Sequence, residues 1–150
     1  MVTNFHDRGN KMEHNFYTQK GYELNCHDDL TASMEDYLEM ICRMLLEKDV
    51  VRIQELSAQL HVKPSSASKM VGTLKEKGYL QFEKYGYLTA TQKGREAGNY
   101  LLYRHEVLHR FLCLLNHTEN ELEQVEKIEH YIDKRTVENL ARLLPLLPES

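Results

Sequence analysis

From residue 33 onward apolar residues recur at three- and four-residue steps, and breaks in that recurrence divide the chain into successive helices. Tyr37, Leu38, Ile41, Met44 and Leu45 share one face. With Ser33 placed to cap and Asp36 in the first turn, they predict a helix ending near Lys48 and Asp49. Ile53, Leu56, Ala58 and Leu60 predict a second, short helix that stops at His61-Val62-Lys63. Pro64 suits the first turn of a third helix, with Ala67, Met70, Val71 and Leu74 on its inner face and Gly78 as its stop. The pattern then becomes alternating. Leu80 to Lys84 and Tyr87 to Thr89 flank Tyr85-Gly86 and predict a small hairpin. Helical recurrence resumes at Thr91 and carries one long element to about Asn116, its start weakened by Gly94 and Gly98. Thr118 with Glu121 has capping-box spacing for a helix reaching Ile132, and a last helix from Lys134 to Leu144 stops before Pro145. Residues 1 to 30 keep no period.

Two short helices joined by a three- or four-residue turn and followed by a hairpin have the order of a winged helix-turn-helix. The expected fold is therefore mainly α. An extension (1–32) precedes a winged-helix unit with a small β-hairpin wing (33–92), and an α-helical dimerisation unit (93–150) follows. In such a unit the second helix of the pair enters the major groove by its N-terminal residues, here Lys63, Pro64, Ser65, Ser66, Ser68 and Lys69. Lys75 adds a phosphate-neutralising charge, and Lys84, Tyr85 and Tyr87 belong to the wing.

Net charge, −4 over the whole chain, argues against nucleic acid only until it is divided. Residues 52 to 95 carry eight Lys and Arg against three Glu, whereas residues 1 to 51 sum to −5 and residues 105 to 150 to −4. A basic middle between acidic flanks places a DNA-sized footprint beside a cation-sized one. No apolar run has the length of a membrane span and the first 20 residues lack an apolar centre, so a cytoplasmic protein with no membrane partner is expected. Cys26, Cys42 and Cys113 are odd in number and widely spaced. They read as reduced thiols, with Cys42 and Cys113 in the core.

The acidic flanks hold residue types that bind metal. Asp36 and Glu39 lie three apart on one helix face. Glu126, Glu129 and His130 repeat that spacing later, and His105 sits in the long helix between them. Four carboxylates and two imidazoles without a thiolate suit Mn²⁺ or Fe²⁺, as a pair of ions per subunit bridged by carboxylates. Acids near helix starts also complement the helix dipole, and a lone histidine on an apolar helix is commonly a core residue. Two other readings compete. The unit can be a winged-helix regulator with a non-metal effector, its acids serving only packing. Alternatively, His105-Glu106-Val107-Leu108-His109 matches the H-E-x-x-H signature of zinc proteases. A protease requires a substrate cleft, gives Asp36 and Glu39 no task, and does not account for a basic winged helix, so neither an enzyme nor a small-molecule substrate is expected.

Five runs are familiar together: Ser33 to Glu39 (SMEDYLE), Lys63 to Val71 (KPSSASKMV), Glu83 to Thr89 (EKYGYLT), Tyr103 to Glu106 (YRHE) and Val125 to His130 (VEKIEH). In this order they resemble the diphtheria toxin repressor family, in its manganese transport regulator branch. The resemblance implies a homodimer that binds a double-stranded DNA operator and represses metal-uptake genes when metal is bound. It also implies that Asp36, Glu39, His105, Glu126, Glu129 and His130 are the metal ligands. A glutamate at position 129, where a cysteine accompanies iron selectivity, points within that family to Mn²⁺. His109 stands where relatives often carry an acid; it is a candidate accessory ligand whose nitrogen would admit Zn²⁺.

Overall fold

The computed structural model describes residues 29–148. Helix α1 (Ala32–Leu45) starts one residue before the expected cap, because the Thr31 hydroxyl, not Ser33, accepts the Met34 amide at 3.3 Å. It ends with its apolar face at Leu45, short of the expected end near Lys48 and Asp49, and Leu46 is left largely exposed. Leu38 and Ile41 on its inner face are fully buried, each stabilising the fold by about 1.5–3 kcal/mol.

A strand follows that the alternation did not reveal. Val51–Arg52 (β1) pairs antiparallel with Tyr87–Ala90 (β3), which also pairs with Leu80–Phe82 (β2), giving the order β1-β3-β2. The expected hairpin is thus two strands of a three-stranded sheet. Its turn passes through Lys84 to Gly86, with Tyr85 and Gly86 both in the left-handed region.

Helices α2 (Ile53–Gln59) and α3 (Pro64–Glu76) lie where the pattern puts them. The turn between them reverses direction at His61, whose φ of 54° is left-handed, while the Val62 amide donates back to the Ser57 carbonyl at 3.0 Å. Ala67, Val71 and Leu74 of α3 are fully buried, so Pro64, Ser65, Ser66, Ser68 and Lys69 are left facing solvent. Gly78, at φ 83°, closes α3 in a conformation that a side chain would strain.

The long helix α4 (Gln92–Asn116) is capped by Thr91, whose hydroxyl accepts the Gly94 amide at 3.0 Å. Its two early glycines are sites of close approach. A Cβ on Gly98 would lie 2.1 Å from the Cys42 sulfur of α1, and one on Gly94 would lie 1.9 Å from the Tyr79 carbonyl oxygen. Residues that weaken the helix locally therefore let α1 and the sheet seat against it. Farther along, α4 packs against α5 (Leu122–Ile128) through Leu108, Leu112 and Val125, and against α6 (Lys134–Leu143) through Val107 and Val137.

The helix expected over residues 118–132 is shorter than its pattern. Thr118 spends its hydroxyl on the Glu121 carboxylate at 2.6 Å rather than on a backbone amide, so no capping box forms and α5 starts at Leu122. After Ile128 the chain tightens into a 3₁₀ turn, Glu129–Tyr131. Leu144–Leu146, containing Pro145, forms another such turn after α6. Cys42 is buried as expected, Cys113 only partly, and Cys26 lies outside the described residues. Among the described residues no helix is long and apolar enough to cross a membrane.

Gly94→Ala drives its methyl into a backbone oxygen that already accepts both the Thr91 amide and hydroxyl. Thermal unfolding followed by circular dichroism is expected to show a loss of about 1–3 kcal/mol. Gly72→Ala, in the open interior of α3, is expected to raise stability by about 0.5–1 kcal/mol.

Candidate metal centre

Three elements converge on one cluster. Helix α1 contributes Glu35, Asp36 and Glu39 from successive turns. Helix α4 contributes Arg104 and His105, which lie on the same buried stripe as Leu101 and Leu108. The 3₁₀ turn after α5 contributes Glu129 and His130, and the end of α5 contributes Glu126.

Glu129 lies at the centre, with no exposed surface. Its Oε2 is 3.0 Å from His105 Nδ1, which also lies 3.6 Å from Glu39 Oε1 and 3.7 Å from Glu126 Oε1. On the other side His130 Nε2 is 2.9 Å from Asp36 Oδ1. Two groups result, Asp36 with Glu129 and His130, and Glu39 with His105 and Glu129, the ligand atoms of each lying within 4.8 Å of one another. Glu129 is common to both. Glu126 completes neither group and stands at the rim, its side chain half exposed. A pocket of about 530 Å³ open to solvent is lined by Asp36, Glu39, His105 and Glu126, which gives a solute a path to these atoms.

Crowding of acids and imidazoles shifts their proton affinities. The hydrogen bonds of His130, first to Asp36 and then to Glu35, hold its imidazolium up to about 10. The Glu129 hydrogen bond raises His105 above the ordinary histidine range. Burial, and then the Glu129 charge, push the Glu39 and Glu126 carboxyls up. Burial pushes Glu35 up too, but hydrogen bonds from His130 and Arg104 outweigh it and hold its carboxyl below the usual range.

The donor set fits a divalent cation. Glu129 Oε1 is buried and has no hydrogen-bond partner among the described residues, although a carboxylate out of water costs several kcal/mol unless matched by charge. Mixed carboxylate and imidazole donors without thiolate are those that Mn²⁺ and Fe²⁺ take. Of the six ligands expected from the sequence, five thus fall into the two groups, with Glu126 beside them.

His109 is turned elsewhere. Its ring lies parallel to that of His105 with centroids 6.5 Å apart, while its Nε2 accepts the Glu121 amide at 3.4 Å and sits 3.7 Å from the Cys113 sulfur. The two imidazoles of the H-E-x-x-H run therefore address different neighbours, and His109 belongs to neither ligand group.

Two residues of the cluster escaped the sequence reading. Arg104, 3% exposed, donates to Glu35 Oε2 at 2.8 Å, and that oxygen lies 2.7 Å from His130 Nδ1. A charged residue on the apolar stripe of α4 was the available signal for Arg104, and the one-turn spacing from Glu39 was the signal for Glu35.

The surface expected to meet DNA is exposed at Lys63, Pro64, Ser65, Ser66, Ser68 and Lys69. Lys75 is exposed as well and holds its ammonium 4.8 Å from the centroid of the Phe82 ring. Tyr85, 94% exposed, stands at the tip of the wing, and the backbone of Lys84 is in the same turn.

The raised groups make the metal-free fold pH dependent. His105, His130, Glu39 and Glu126 all bind protons more tightly folded than unfolded, so stability falls wherever these protons leave. The His130 contribution is complete below the unfolded histidine value of about 6.5 and is lost as pH rises through about 10. Urea unfolding in the presence of chelator is expected to show falling stability from pH 6.5 to pH 10, with a shallower fall in His130→Ala.

Two family models together match most of the chain. The iron dependent repressor N-terminal DNA binding domain matches residues 29–88, and the iron dependent repressor metal binding and dimerisation domain matches residues 91–147. The chain is 39% identical to the HTH-type transcriptional regulator MntR of Bacillus pumilus, over 80% of its own length and 84% of that protein's. It is 38% identical to the regulator of the same name from Bacillus subtilis, over 79% and 84%. Among solved structures, the manganese regulator SloR superposes with a TM-score of 0.66 at 28% identity, over 77% of this chain. The chain spans 55% of the length of that structure. With both halves of the family matched in order, and a winged helix followed by a carboxylate and imidazole cluster, the chain belongs to the iron-dependent repressor family, the family of the diphtheria toxin repressor.

Proposed function

We propose that this chain is a transcriptional repressor that binds operator DNA as a homodimer when divalent metal, with manganese as the physiological ion, occupies the Glu129 cluster. Two ions per subunit are assigned, one to Asp36, Glu129 and His130 and one to Glu39, His105 and Glu129, with Glu126 closing the rim. The observation that carries this reading is the buried Glu129 carboxylate, shared by two donor groups and with one oxygen unpartnered among the described residues. Manganese is favoured by donors that are all oxygen or imidazole nitrogen, and by the names of the relatives.

The division of labour follows the chain. Residues up to about Gln92 read DNA, through the N-terminal half of α3, Lys75 and the Lys84-Tyr85 wing, and the residues after it bind metal and dimerise. Asp36 and Glu39 belong to the first of these and His105, Glu129 and His130 to the second. A bound cation supplies the charge that lets these acids lie together. Asp36 and Glu39 then fix α1, and with it the α2–α3 pair, against α4. The two reading heads of a dimer keep one separation, and the cost of ordering them is no longer taken from DNA affinity.

A gel shift with an operator fragment, titrated anaerobically with Mn²⁺, tests this. Wild type is expected to bind DNA only when metal is added, whereas Glu39→Ala and Glu129→Ala should each need at least ~10-fold more Mn²⁺ or fail to shift. Equal binding by all three at every Mn²⁺ concentration would contradict the proposal. Lys69→Ala is expected to weaken binding to operator and random DNA alike and to reduce the salt slope by about 1.

A further inference from the structure

Arg104 is a buried cation that the metal-binding reading leaves without a task. It is 3% exposed on α4, its Nε has no partner among the described residues, and its Nη2 donates to Glu35 at 2.8 Å. A buried ion pair adds little net stability over apolar residues of similar size, since desolvation offsets the attraction. The pair's position is more informative than its strength. The same Glu35 oxygen that Arg104 holds lies 2.7 Å from His130 Nδ1, and the opposite ring nitrogen, Nε2, lies 2.9 Å from Asp36.

We infer that Glu35 and Arg104 are positioning residues that clamp the His130 ring with Nδ1–H donated to Glu35 and Nε2 aimed at the Asp36 and Glu129 carboxylates. This rests on the reading of the cluster as a metal centre. A histidine ligand presents one nitrogen to its metal, and the hydrogen bond made by the other decides which. His130 sits in a single 3₁₀ turn, where backbone constraint on the ring is less than in a long helix. Glu35, held from α4 by Arg104, supplies a fixed acceptor from outside the turn. The chain Arg104 to Glu35 to His130 joins α4, α1 and the 129–131 turn, so it orders the three elements that carry the ligands. Neither Glu35 nor Arg104 falls in either donor group, which separates positioning from ligation.

The test uses the full chain labelled with ¹⁵N-histidine and loaded with Cd²⁺, a diamagnetic probe. Nuclear magnetic resonance then reports which ring nitrogen carries the metal and which the proton, and Mn²⁺ affinity is measured in parallel by electron paramagnetic resonance of the free ion. Wild type is expected to bind Cd²⁺ through His130 Nε2 with Nδ1 protonated. In Glu35→Leu/Arg104→Met, which leaves no buried charge unpaired, His130 should lose that single attachment and Mn²⁺ affinity should fall roughly 10- to 100-fold. Glu35→Gln keeps an acceptor oxygen and should retain Nε2 attachment with a loss under ~10-fold. Attachment through Nδ1 in wild type would overturn the inference while leaving the metal centre standing. So would a double variant with wild-type attachment and affinity within about twofold, whereas a wild type that takes up neither ion would refute the metal-centre reading itself.

Discussion

A carboxylate taken wholly out of water has to be met by positive charge or give up its ionisation, and Glu129 is where this chain faces that constraint. It is fully buried, with one oxygen against His105 and the other without a hydrogen-bond partner among the described residues. Around it Glu39 and Glu126 are driven toward their protonated forms, and His105 and His130 hold protons more tightly than free imidazole does. Protons are thus a partial substitute for the charge the cluster demands. A divalent cation would meet that demand more completely and displace them, which would tie its affinity to pH through the same groups.

The rest of the architecture serves to bring these acids together despite their repulsion. Helix α1 must lie close to α4 for Asp36 and Glu39 to reach the 129–131 turn, and the Cys42–Gly98 contact sets that approach. At the other end of α4, Val125 packs beside Leu108 and Leu112, which carries Glu129 and His130 inward. Polar strain is therefore concentrated at one place while apolar packing on both sides holds it. That arrangement would suit a protein whose conformation answers to an ion, because an ion held there would act on the cluster that packing leaves unsatisfied among the described residues.

Much of the fold was legible because its signals are local. Pro64 and Gly78 bracket α3, and the recurrence from Ile53 to Leu60 marks α2. What was not legible depends on partners far along the chain. Two residues, Val51 and Arg52, cannot display an alternation, and they form a strand only because Leu88 and Tyr87 lie beside them. The stretch from Thr118 to Ile132 keeps a helical period through a change of helix type, so periodicity overstated α5. The six expected ligands were readable as residue types at helical spacings, and the resemblance to a known family selected them. Glu35 sits one turn before Glu39, but a carboxylate next to Asp36 also looks like helix-start charge, and a lone arginine on an apolar stripe shows its purpose only when Glu35 is seen 2.8 Å away.

The central claim is that acids and imidazoles from both halves of the chain share cations at Glu129. Diffraction from crystals soaked in Mn²⁺, recorded on either side of the manganese absorption edge, tests it most directly. The account predicts anomalous density in coordinating contact with Glu129, between Asp36 and His130 and between Glu39 and His105. Manganese density found only away from Glu129, in crystals of protein able to bind its operator, would contradict it.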